Sequence, residues 1–195
     1  MKNRLITRRD VPPHVPIARP WRTLVTSWAI FMAAALLLET ETLSGKESDN
    51  VLRVVRDFYA WYLPAAPGAN ARGLDLVLKT RASLFTDNLF RALKQDFDAS
   101  AKNPDEVVGL DFDPFLAAQD PCERYEVGAA TRKGKGYSIE IHGVCAGKKR
   151  GKPDVIAELV PKGDSWVFAN FRYPVERSDL LKVLKSLREQ RKKKS

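Results

Sequence analysis

RYEVGAATRKGKGYSIEIHGVC, running from Arg124 to Cys145, decides the fold. Tyr125, Val127 and Ala129 alternate in its first half, and Tyr137, Ile139 and Ile141 in its second. A period of two marks a half-buried strand. The link Lys133-Gly134-Lys135-Gly136 has the glycines that a tight turn requires. The stretch therefore predicts an antiparallel hairpin. Downstream, Val155–Val160 and Trp166–Tyr173 read as two further strands joined through Lys162-Gly163-Asp164, a second hairpin. Trp166, Phe168, Phe171 and Tyr173 read as core rather than as the lining of a ligand pocket.

Upstream the period is helical. Val51, Leu52, Val55, Phe58, Tyr59, Tyr62 and Leu63 form one stripe, with Arg53, Arg56, Asp57 and Ala60 opposite and Pro64 as a stop. A second helical region is expected between Leu74 and Lys102, clearest at Leu89, Phe90, Leu93 and Phe97, with Thr86 as a cap. Ser178 is expected to open a last helix carrying Leu180, Leu181, Leu184 and Leu187 on one face. Helices grouped ahead of an antiparallel sheet define an α+β fold. The expectation is N-terminal helices packed on a four-stranded antiparallel sheet, closed by a C-terminal helix.

A hairpin turning near residues 133–134 sets Cys122 opposite Cys145 on neighbouring strands. The best apolar pairing, Val127 with Ile139 and Tyr125 with Ile141, is one residue out of that register. A bulge near Gly143 reconciles the two. The pair is expected as a disulfide, which closes a loop worth roughly 3 kcal/mol in the chain-entropy model; two buried free thiols are the alternative.

The net charge of +9 sits at the two ends of the 195-residue chain. Residues 1–44 hold six basic and three acidic side chains, residues 182–195 seven basic and one acidic, and the body between them twenty of each. A nucleic-acid reader carries its cations on the folded body, so that class is set aside. Six basic residues precede an uncharged run of 15, Leu24–Leu38. At 1.5 Å per residue such a run reaches about 22 Å, less than a bilayer core, and it fits the apolar region of a secretory signal. The expected organisation is a leader over residues 1–44, one α+β domain over 45–188 and a disordered basic tail over 189–195. Cleavage is expected before Gly45, with an inner-membrane anchor through residues 24–38 as the alternative.

The candidate chemistry is sparse. With the leader removed, His142 is the single histidine left, too few for a His-rich metal centre or a triad. Alternation makes it a solvent-facing strand residue. Asp105, Glu106, Asp111, Asp113, Asp120 and Glu123 form an acidic stretch, but the spacing and glycine of a calcium loop are missing. Asp111 and Asp113 read as turn caps around Pro114, with Phe112, Phe115 and Leu116 as anchors. If a polar site exists, its candidates are Asp113, Gln119 and Asp120, with Tyr125 and His142 nearby. Lys148, Lys149, Arg150 and Lys152 read as a solvated turn. No metal or cofactor is expected.

Val54–Leu63, the stretch from Asp111-Phe112-Asp113-Pro114-Phe115 to Gln119-Asp120, Trp166–Tyr173 and Leu180-Leu181 resemble the bacterial envelope proteins grouped as domain of unknown function 3828, over residues 50–188. The layered order also resembles nuclear-transport-factor-2-like and cystatin-like folds. The family resemblance implies a cell-envelope domain without an assigned activity. That family includes lipoproteins, and no lipid-bearing Cys follows the apolar run here. The expected function is a non-catalytic periplasmic or envelope-associated binding domain with an envelope protein as partner. Nucleic acid is not expected, and membrane contact is expected only through the N-terminal segment. The alternative is a small-molecule enzyme with a pocket between sheet and helices, using Asp113 or Asp120 as general base beside Tyr125 or His142.

Overall fold

The computed structural model describes residues 24–65, 71–102 and 108–194. The chain divides between Leu43 and Ser44 into two units, and the α+β fold is that of the second. Among the described residues no helix is long and apolar enough to cross a membrane. The expected leader lies outside the described residues, apart from helical backbone from Leu24 onward.

Helix α1 (Leu24–Ala65) ends one residue past Pro64. Its predicted stripe is real: Val51, Val55, Phe58, Tyr59 and Tyr62 are buried, and Arg53, Arg56, Asp57 and Ala60 are exposed. The single helical region expected over residues 74–102 is instead α2 (Ala71–Thr80), a 3-10 turn (Ala82–Leu84) and α3 (Asp87–Ala101). Phe85 causes the break. Its ring is 1% exposed in the core, and its extended backbone bridges Phe168. The Thr86 amide next to it donates to the Phe168 carbonyl at 2.9 Å. A residue tied to a strand cannot also continue a helix, so α3 restarts there with Thr86 as cap.

The sheet has six antiparallel strands, not four. Strands β1 (Arg124–Lys133), β2 (Gly136–Cys145), β4 (Val155–Lys162) and β5 (Ser165–Tyr173) are those expected. Two-residue strands β3 (Lys148–Lys149) and β6 (Ser178–Asp179) are added beside β2 and β5. Such short pairs have no periodicity to read. The order is β1-β2-β4-β5-β6. Gly134 takes a φ of +60° in the first turn, and Gly136 lets the β4 backbone close in, since a Cβ there would lie 2.3 Å from the Leu159 oxygen.

Two bulges set which side chains face the core. In β5, Leu159 pairs with Phe168 but Glu158 with Asn170, so Ala169 is the extra residue. That insertion keeps Trp166, Phe168, Phe171 and Tyr173 on one face although their spacings are two, three and two. In β1 the shift falls between Val127 and Ala130. Val127 therefore pairs with Ile141 and Tyr125 with Gly143, correcting the expected partners Ile139 and Ile141. The bulge is at Gly128-Ala129 rather than near Gly143, and Ala129 is exposed.

Ser178 does not open the last helix, α4 (Leu180–Lys194). It pairs with Tyr173 in the sheet, and Asp179 caps the helix by accepting from the Lys182 amide at 3.0 Å. Over residues 189–194 the chain is helical rather than the disordered tail expected from the sequence. Arg191 holds it: the guanidinium donates to the Asp96 carboxylate at 2.6 Å and to the Val108 carbonyl at 2.9 Å. Asp96 is 2% exposed and also accepts from the Leu110 amide at 2.9 Å. A buried carboxylate needs that partner. Arg191→Ala is expected to lower unfolding free energy by about 2 kcal/mol, with Lys193→Ala within about 0.5 kcal/mol of wild type, both measured by urea denaturation.

Candidate functional site

The loop expected to carry polar chemistry is bound into the core. Asp113 is 3% exposed. One carboxylate oxygen accepts from the amides of Phe115 and Leu116 at 2.8 and 3.1 Å, an Asx turn of the kind predicted from its sequence. The other accepts from the Tyr62 hydroxyl at 2.6 Å. Two more tyrosines grip the same loop: Tyr59 donates to the Phe115 carbonyl at 2.7 Å, and Tyr173 to the Pro114 carbonyl at 2.9 Å. The loop also closes on itself through Asp113 and Ala118. Phe115, 0% exposed, lies edge-on to Phe58, Tyr62 and Phe171 with ring centres 5.2–5.4 Å away.

The electrostatics match this burial. Loss of water raises the Asp113 carboxyl above its ordinary range, against the hydrogen bonds from Tyr62, Phe115 and Leu116 that pull it down. Burial, and then the neighbouring Asp113 charge, hold the hydroxyls of Tyr59, Tyr62 and Tyr173 well above the usual phenol range. The arrangement stores no free base: each acceptor of the carboxylate has a donor from this chain.

The other candidates do not gather around it. Gln119 and Asp120 are exposed, and the Gln119 amide reaches only the Asp111 carboxylate, at 3.4 Å. Tyr125 is buried on the core side of β1, where burial pushes its hydroxyl up to about 12. Its oxygen accepts from the Cys122 amide at 3.3 Å.

His142 pairs with Glu126, on the opposite face of the sheet from Tyr125 and Gly143. It is not solvent-facing, being 7% exposed. Its Nε2 lies 3.2 Å from the Glu140 carboxylate and its Nδ1 3.1 Å from the Arg150 carbonyl. Gly128 lies against it: a Cβ there would sit 3.5 Å from the imidazole Cδ2. The glycine of the bulge thus brings backbone close to a residue that alternation alone places in water.

Cys122 and Cys145 form the expected disulfide, with Cα atoms 4.7 Å apart. Gly143 allows it, because a Cβ there would lie 2.7 Å from the Cys122 sulfur. Asp154, which the sequence does not single out, secures the same point. It is 6% exposed, accepts from the Gly143 amide at 2.6 Å and pairs with Arg150. The predicted basic turn is thereby tied to the sheet through Arg150.

Two concavities among the described residues lie away from these side chains. One, about 240 Å³, lies between α3 and α4, with Ala92, Leu181 and Leu184 as its apolar lining and Lys185, Arg188 and Arg191 as its cations. The other, about 480 Å³, lies between the 3-10 turn, the start of α3 and Lys162; Lys162 pairs with Asp87 there at 3.1 Å. Neither includes Asp113, Asp120, Tyr125 or His142. The α3 residues of the first concavity carry no sequence signal beyond a small alanine between larger neighbours. Among the described residues no group of three His, Cys, Asp or Glu is placed to hold a metal ion.

No family model, no curated protein and no solved structure matches this chain.

Asp113→Ala is expected to cost about 3–5 kcal/mol, because it strands one hydroxyl and two amides in the core. Asp113→Asn keeps an acceptor for the two amides and is expected to cost less than half of that. Tyr62→Phe is expected to cost about 1–3 kcal/mol. Since the folded carboxyl titrates above its ordinary 3.8, its contribution is fully present below that value and is lost as pH rises through the raised one. Urea midpoints across that window are expected to fall with pH by less in Asp113→Asn than in wild type.

Proposed function

We propose that this chain is an exported, envelope-associated domain that binds a partner and catalyses no reaction. The observation that carries the reading is the Cys122–Cys145 disulfide, a covalent link that persists in oxidising compartments and is rare in the cytosol. The basic stretch and the uncharged run of residues 24–38 support the same address. Binding is favoured over catalysis by the position of Asp113. A general base must reach a substrate proton, and this carboxylate is enclosed with its acceptors occupied by Tyr62, Phe115 and Leu116. The enzyme alternative has its second carboxylate, Asp120, in the open rather than in either concavity.

Mass spectrometry of protein recovered from the native host tests this. A new N-terminus near Gly45 is expected, with both cysteines resisting alkylation until a reductant is added. An intact front end on a cytosolic product with two alkylatable thiols would overturn the proposal.

A further inference from the structure

The concavity between α3 and α4 is chemically polarised along its length. Leu181 and Leu184 come from the first half of α4, and Lys185 and Arg188 follow them one turn on. Asp96 of α3 meets Arg191 of α4, so the C-terminal halves of the two helices lie together and the groove runs from an apolar end toward a cationic one. From Leu181 to Arg188 the rise is about 10 Å. No acidic side chain lines it.

The cations are not all committed to the fold. Arg191 is held by Asp96. Lys185 has no partner among the described residues, and Arg188 meets only its neighbour Glu189, at 3.6 Å with both side chains about half exposed. Such a contact contributes almost nothing. Across the groove, Asn88 and Gln95 bring amides with no partner among the described residues. An apolar strip leading to two uncommitted cations, flanked by hydrogen-bonding amides, complements a ligand with a greasy body and an anionic head.

We propose that this groove binds an aliphatic carboxylate. Its chain lies along Ala92, Leu181 and Leu184, and its carboxylate is taken by the guanidinium of Arg188 and the ammonium of Lys185. A guanidinium fork fits the two oxygens of a carboxylate. The volume of about 240 Å³ suits a single short chain. The site is separate from Asp113, and its occupation does not depend on where the protein resides.

The test is titration of the isotope-labelled full chain with decanoate, followed by NMR. Shifts are expected to concentrate at Ala92, Leu181, Leu184 and Arg188. Lys185→Glu combined with Arg188→Glu is expected to weaken binding at least about 10-fold, with an unchanged melting temperature because both side chains are exposed. Ala92→Leu, which fills the strip, is expected to weaken it comparably, and decylamine is expected not to bind there. Equal binding by the charge-reversed chain, equal binding of decylamine, or shifts scattered over the surface would overturn the proposal. So would displacement of decanoate at lower concentration by a Leu-faced, Glu-rich helical peptide, or self-association through the same residues; these outcomes would make the groove a protein-docking or dimer surface.

Discussion

The hydrogen bond from Tyr62 to Asp113 is the constraint on which the rest of the domain depends. It joins residues 51 positions apart. It holds a carboxylate that is buried in the core, which is unfavourable unless every acceptor is met. The fold meets them by folding the 113–118 loop onto itself and by bringing a tyrosine from α1. Tyr59 and Tyr173 then hold the loop's carbonyls from α1 and β5. Three elements that alone would pack through non-directional apolar contact are thus given a defined mutual position.

That arrangement bears on function as much as on stability. A buried aspartate with a raised proton affinity resembles a catalytic acid or base when only the titration is considered. Geometry separates the two cases. At a catalytic site the group faces space that a substrate can enter; Asp113 faces Tyr62, and the two concavities described above lie against helices α3 and α4 and beside Lys162.

The sheet shows why single-residue irregularities matter. Each bulge reverses the facing of everything beyond it. The insertion in β5 serves the aromatic core, and its odd spacing from Phe168 to Phe171 is visible in the sequence. The insertion in β1 is quieter, because Gly128, Ala129 and Ala130 present no large side chain whose misplacement would reveal the shift. Apolar matching across the hairpin therefore puts Val127 and Tyr125 opposite the wrong partners. The covering of His142 belongs to the same region.

What the sequence determined by itself was whatever rests on local period and turn chemistry: the buried stripe of α1, the four long strands, the two glycine turns, the Asx turn at Asp113 and the cysteine pair beside the hairpin. These follow from residues within a few positions of one another, or from a single hairpin register. Only the tertiary structure decided what depends on partners distant in the chain. The break at Phe85 arises because β5 claims its backbone. The ordered end of α4 arises because Arg191 neutralises a carboxylate 95 positions earlier. The role of Asp113 is decided by a hydroxyl from α1, and the groove between α3 and α4 by the packing of two helices whose lining side chains are individually unremarked. A linear pattern records which residues share a face; it does not record which face meets it.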